Sequence, residues 1–183
     1  EQALAKYGQV KDKFSDAGEA ADYFLRKRLS LPEVSVVKTG AGIELPLTFR
    51  NLETASVKVY RVDLMRLYLL EKSLNRIRNV ELHGIRPHAE LEVTLGNGRD
   101  YRDRENKLPL ELKETGAYLV VVRAGDLLAT GMVLRSDLKI EVQEAADVGS
   151  IRVNVTKNGA CLPAGHCKVI GSGDQKFRSG DTD

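Results

Sequence analysis

Between Thr115 and Asp183 short runs of β-type residues alternate with turn residues, which restricts the chain to architectures of short antiparallel strands. Gly116–Arg123 predicts a strand, Ala124-Gly125-Asp126 a turn, and Leu127–Leu134 the returning strand. Further strands are expected over Leu138–Val142, Ile151–Val155 and Cys167–Ile170, with a turn at Asn158-Gly159. Apolar runs of about four to eight residues, bounded by Gly, Asn, Asp and Pro, are the pattern of a β-sandwich. Ser179-Gly180-Asp181-Thr182-Asp183 has turn composition with no strand after it, and residue 1 is Glu. The sequence is therefore expected to be a piece of a longer chain.

The N-terminal residues follow another period. Ala3, Leu4, Tyr7, Val10 and Phe14 fall at helical spacing, with Gly8 as a weak point. Asp16 followed by Glu19 predicts a capping box, and Ala17, Ala20, Ala21, Phe24 and Leu25 form one apolar face. Lys27 and Arg28 suit a helix C-terminus, and Pro32 ends the helical pattern that runs to residue 29. Residues 1–31 are thus expected to be a helical segment.

From Glu33 the period returns to that of strands, at Val34–Val37, Ile43–Phe49 and Val57–Val62, with turns at Gly40-Ala41-Gly42 and Asn51–Ala55. The two glycines of the first turn do not precede a helix, so they are not a phosphate-binding loop. Asp63–Val80 carries Leu64, Leu67, Leu70, Leu74 and Ile77 at intervals of three and four, predicting one inserted helix with Asp63 as N-cap. Its outer face bears Arg66, Tyr68, Arg76 and Arg78, expected to be a charged solvent face on a helix capping the sandwich. Ala89–Leu95 alternates as a strand, Gly96-Asn97-Gly98 turns, Asp100–Lys107 is expected to be a charged loop, and Leu108–Leu112 leads to Gly116. That makes about seven strands and one helix over residues 32–137, a sandwich of ordinary size. Strand signals restart at Leu138, so residues 138–183 are expected to begin a second, truncated sandwich.

Composition narrows function. With 183 residues, 42% hydrophobic and 30% charged, the chain can build the core of one large or two small domains. A net charge of +2 gives no one-signed face for nucleic acid, since Arg99, Arg102 and Arg104 are answered by Asp100, Asp103 and Glu105. No run approaches the roughly eighteen apolar residues of a membrane span.

Chemistry-bearing residues are sparse. His83 and His88 flank a loop without metal spacing, and a four-ligand zinc site with His166, Cys161 and Cys167 would have to join two modules. No metal site and no cofactor is expected. Ile170-Gly-Ser-Gly-Asp174 lacks the spacing of a nucleophile elbow. On a strand, His166 and Cys167 point to opposite faces, which argues against a dyad. Glu90 and Glu92 share a strand face, the usual arrangement of two solvated acids. No catalytic residue is assigned. Asn154-Val155-Thr156 fits a glycan acceptor, but on a strand and of consequence only in a eukaryotic secretory pathway. Cys161 and Cys167 flank Leu162-Pro163-Ala164-Gly165-His166, whose Pro-Gly turn can bring them within disulfide range. Closing so short a loop is worth about 2 kcal/mol and implies an oxidising compartment; a pair of free thiols fits the spacing equally.

Three stretches carry a family likeness: Val57–Lys72, Gly116–Asp126 and Met132–Leu138 resemble bacterial alpha-2-macroglobulin-like proteins. Ala164–Val169 with Ser179–Asp183 is similar to the opening of the next macroglobulin-like domain there. The resemblance spans roughly Glu33 to Asp183 and implies seven-stranded macroglobulin-like sandwiches in an exported protein, periplasmic or at the cell surface. Many members trap proteases through a bait segment and an internal thioester built on Cys-x-Glu-Gln. Neither Cys161, followed by Leu162-Pro163, nor Cys167, followed by Lys168-Val169, matches that motif. The expectation is a mainly β, immunoglobulin-like sandwich that serves as a non-catalytic structural domain. Its partners would be neighbouring domains of the same chain and, through the full-length protein, proteases. The alternative is a cell-surface adhesion or ligand-binding module, which six Tyr, four Phe and no Trp do little to favour.

Overall fold

The computed structural model describes residues 2–64, 85–145, 149–170 and 177–183. The chain divides into two compact units, Glu1–Arg135 and Ser136–Asp183.

The first unit opens with helices α1 (Gln2–Val10) and α2 (Ser15–Leu25). The capping box does not form: α2 has Phe14 at its N-cap, without a side-chain cap, and Asp16 already lies in the first turn. The helical pattern also ends earlier than expected, because Arg28–Ser30 is strand β1, paired with the end of β3. The strands that follow are β2 (Val34–Val37), β3 (Ile43–Arg50), β4 (Thr54–Val62), β5 (Ala89–Thr94), β6 (Arg104–Leu110), β7 (Gly116–Ala124) and β8 (Leu127–Arg135). The inserted helix expected after Val62 falls, beyond Leu64, on residues outside those described.

These strands form two sheets. One has the order β2-β8-β7-β4-β5, antiparallel except for the parallel β2–β8 pair, and the other has the order β1-β3-β6. Period-two alternation sends one face of each strand inward. From the small sheet come Ile43, Leu45, Leu47, Phe49, Leu108 and Leu110; from the large one Ala55, Val57, Val59, Tyr118, Val120, Val122 and Val133. All are buried in one cluster, and at about 1.5–3 kcal/mol per fully buried Val, Leu or Phe this core is the main stabilising contribution. Tyr118 takes its hydroxyl into that core and donates it to the Glu114 carbonyl at 2.9 Å. The opposite face of the large sheet holds a smaller cluster of Tyr60, Leu119 and Met132.

Residues 104–107, expected to be loop, are strand β6. It pairs with β3 alone, so its outward residues meet water and its sequence lacks clean apolar alternation. Pro109 fits there because an edge strand has one free side. Pro46 fits β3 for a similar reason, since β1 reaches only Thr48–Arg50.

The second unit contains β9 (Leu138–Ala145), β10 (Ser150–Lys157) and β11 (Ala160–Cys161) in one sheet. A hairpin of β12 (His166–Ile170) and β13 (Phe177–Asp181) completes it. Ser179–Asp181, expected to be turn, is therefore strand.

Candidate functional site

Two constellations stand out, one in each unit. In the first, the end of β3 grips the end of α2. Arg50 is 4% exposed. Its Nη1 donates to the Tyr23 carbonyl at 2.7 Å, its Nε to Asp103 Oδ1 at 2.8 Å, and its guanidinium lies 4.4 Å from the centre of the Tyr23 ring. Burial alone would push the guanidinium down, but hydrogen bonds to Tyr23 and Asp103 outweigh it and hold Arg50 above the ordinary arginine range. Arg28 reaches the other oxygen of Asp103 at 3.0 Å. Asn51, next in the chain, turns left-handed (φ 55°) and donates its Nδ2 to the Phe24 carbonyl at 2.7 Å, while its Oδ1 accepts from the Tyr101 amide at 2.8 Å. Tyr23 and Phe24 are among the last carbonyls of α2, which lack partners within the helix, so the sheet supplies the cap and a cation at the negative end of the dipole. Lys27 and Arg28, expected in that role, lie beyond the helix end. Nothing in the sequence marks Arg50 or Asn51, since position 50 falls on the polar phase of the alternation of β3 and Asn51 reads as a turn residue.

The second constellation lies in the second unit. Here β9 and β10 pair Ile140 with Val155 and Val142 with Val153, setting apolar residues together on one face. Val155 is buried, whereas Ile140, Val142 and Ile151 are exposed. Val142, Ile151, Val153, Val155, Leu162 and Val169 line a concavity of about 1000 Å³, together with Cys161, Cys167 and charged Glu144, Arg152 and Arg178. Both cysteines are free thiols, Cys161 exposed and Cys167 half-buried.

The remaining candidates do not converge. His88 rests beside Tyr118, with ring centres 5.6 Å apart; His166 pairs with Asp181 through Nδ1 at 2.7 Å; and His83 lies outside the described residues. Glu90 is paired with Lys58 at 3.6 Å on the exposed face of β5. Asn154 is exposed on β10 while the neighbouring Val155 is buried. Among the described residues no group of three His, Cys, Asp or Glu is placed to hold a metal ion, and no helix is long and apolar enough to cross a membrane.

In the first unit two facing sheets with a shared aliphatic core define a mainly β sandwich of the macroglobulin type. The fold is similar to that of native alpha-2-macroglobulin from Escherichia coli in a structure spanning domains NIE-MG1, at 16% identity and a TM-score of 0.64, covering 87% of this chain and 88% of that one. A longer structure of the same protein, spanning MG0-NIE-MG1, aligns at 16% identity and a TM-score of 0.65 over 86% of this chain. This chain spans 58% of the length of that longer structure. At this identity the likeness concerns the fold. No family model matches the chain, and no curated protein matches it in sequence.

Proposed function

We propose that this chain is a non-catalytic structural segment of an exported alpha-2-macroglobulin-like protein and contributes to protease trapping by the whole molecule. The observation that carries this reading is the pairing of two things. The fold follows two consecutive domains of the E. coli protein over most of the chain, and the first unit spends its polar residues on holding its own elements together. Arg50, Asn51 and Asp103 are engaged in contacts that hold α2 and the end of β3 together, as a structural role requires. On this reading residues 32–137 are one macroglobulin-like sandwich, to which α1, α2 and strand β1 are joined, and residues 138–183 belong to a second β module.

The test is the parent gene on both sides of this segment and the fate of its product. An export signal upstream with a Cys-x-Glu-Gln thioester motif downstream, in a product recovered outside the cytoplasm, is the expected result. A cytoplasmic product without either would overturn it. An exported product without the motif would move the reading to the adhesion or ligand-binding class.

A further inference from the structure

Strand β9 ends the order β11-β10-β9, so one of its two edges pairs with no strand among the described residues. Which backbone groups point there follows from the register. In an antiparallel pair the amide and carbonyl of one residue point to the same side, and the sides alternate along the strand. The Val155 carbonyl accepts from the Leu162 amide at 2.9 Å, so Val155 turns its backbone groups away from β9. Its partner Ile140 therefore turns its own amide and carbonyl to the open edge of β9, as do Leu138 and Val142. Of these groups the Leu138 amide already donates to Ser136 Oγ at 3.1 Å. The side chains of the same three residues are exposed, Ile140 at 61% and Val142 at 57%. Natural sheets blunt an open edge with Pro, a bulge or an inward charge. The run Leu-Lys-Ile-Glu-Val of 138–142 has neither Pro nor bulge, and its register on β10 is unbroken. Lys139 and Glu141 lie on the face opposite Ile140, with their charged atoms 2.6 Å apart.

We propose that this edge is a self-association surface: a second copy of the chain lays its own β9 there, antiparallel, about a two-fold axis at Ile140. Two three-stranded sheets then join into one of six. Charge selects both the occupant and the register. With the axis at Ile140, Lys139 stands opposite the partner's Glu141 and Glu141 opposite the partner's Lys139. On the other face Leu138 meets the partner's Val142, and Ile140 meets the partner's Ile140. The two Ile140 residues exchange their amide-to-carbonyl bonds, since both turn those groups to the edge. Moving the axis to Lys139 or to Glu141 sets like charges opposite one another, and moving it to Val142 sets Ile140 against the partner's Glu144. The strand is therefore complementary to itself in one register, as a two-fold contact requires. A contact of five residues a side is small, so the association is weak, reversible and dependent on concentration.

The experiment is sedimentation velocity on the purified chain at low salt, over about a hundredfold range of concentration up to about 0.5 mM. The mean mass should rise toward twice that of the monomer. Ile140→Lys, which sets two ammonium groups together at the axis, should remain monomeric throughout. Lys139→Glu and Glu141→Lys should each weaken self-association by about tenfold, whereas an equal mixture of the two should associate as the unaltered chain does, because each offers the charge the other lacks. A monomer mass at every concentration would overturn the proposal, and so would association that Ile140→Lys leaves intact. Charge variants that each associate as well as the unaltered chain would overturn the register. A second readout needs no variant: amide exchange at Ile140 and Val142 should slow as concentration rises, and association without added protection in β9 would also overturn the proposal. Failure here leaves the export reading standing, since the edge is argued without it.

Discussion

The guanidinium of Arg50 donates across 2.7 Å to the carbonyl of Tyr23, joining the last residue of β3 to the C-terminal turn of α2. Through this bond and the neighbouring Asn51 contact, the helical segment becomes part of the first unit. The same guanidinium holds Asp103, which precedes β6, so one buried side chain fixes the helix and the edge of the small sheet together.

Replacing Arg50 by Met keeps most of the volume but leaves the Tyr23 carbonyl and the Asp103 carboxylate without their donor. The first unit should lose about 2–4 kcal/mol, read as a lower urea midpoint with an unchanged slope. Loss of exchange protection in α2 ahead of the sandwich strands should accompany it. A midpoint unchanged within about 0.5 kcal/mol would show that the helix is held by its apolar face alone.

Asn51 separates backbone from side-chain effects. Gly at this position tolerates φ 55° but gives up the bonds to Phe24 and Tyr101, costing about 2 kcal/mol. Ala gives up the same bonds and adds left-handed strain of about 1 kcal/mol, so the order of denaturation midpoints should be Asn, then Gly, then Ala. If the Ala variant proved as stable as the Gly variant, the strain argument would fail.

Gly131 has a packing reason for its lack of a side chain. A Cβ there would come within 2.5 Å of the Pro32 carbonyl oxygen and 3.3 Å of Leu31 Cβ. The bond from the Met132 amide to the Glu33 carbonyl, 2.9 Å, holds the chain at that approach. Gly131→Ala should therefore push the segment before β2 away and destabilise the unit by about 1–3 kcal/mol, with the loss of exchange protection confined first to β2. A neutral substitution would mean that the β2 edge yields without cost.

The central elements were legible because their physics is local. Ile43–Phe49 alternates strictly, Gly116–Arg123 and Leu127–Leu134 are short apolar runs bounded by turn residues, and the structure places them as strands β3, β7 and β8 of the sandwich. What escaped is what depends on neighbours. Arg104–Lys107 reads as a charged loop because an edge strand needs no apolar outer face, and Arg28–Ser30 and Phe177–Asp181 are too short and polar to show a period. The C-terminal cap of α2 could not be read from Lys27 and Arg28, since the residues that bond its last carbonyls, Arg50 and Asn51, are distant in the chain. The Thr182 contacts that hold the Leu162–Gly165 turn required the fold.

In the second unit Lys139 and Glu141 lie on one face of β9 with their charged atoms 2.6 Å apart. Their hydrogen bond raises Lys139 and lowers Glu141 from their ordinary values. The Glu141 contribution is thus complete above the usual carboxylate range and lost as pH falls through its lowered value. The Lys139 contribution is complete below the usual lysine range and lost as pH rises through its raised value. Glu141→Gln should flatten the acid side of a stability profile for β9 followed by hydrogen exchange, and molar salt should shrink the difference because both groups are solvent-exposed. An effect that survives high salt would point to a cause other than this pair.

The claim that this fold serves a protease trap is tested most directly by challenging the whole parent protein with a broad-specificity protease and comparing the protease's activity on a small chromogenic peptide with that on a large protein substrate. Trapping predicts that peptide cleavage persists while protein cleavage falls by about tenfold or more, with the protease co-migrating with the parent on size exclusion. Equal loss or equal retention of both activities, with the protease eluting free, would contradict it.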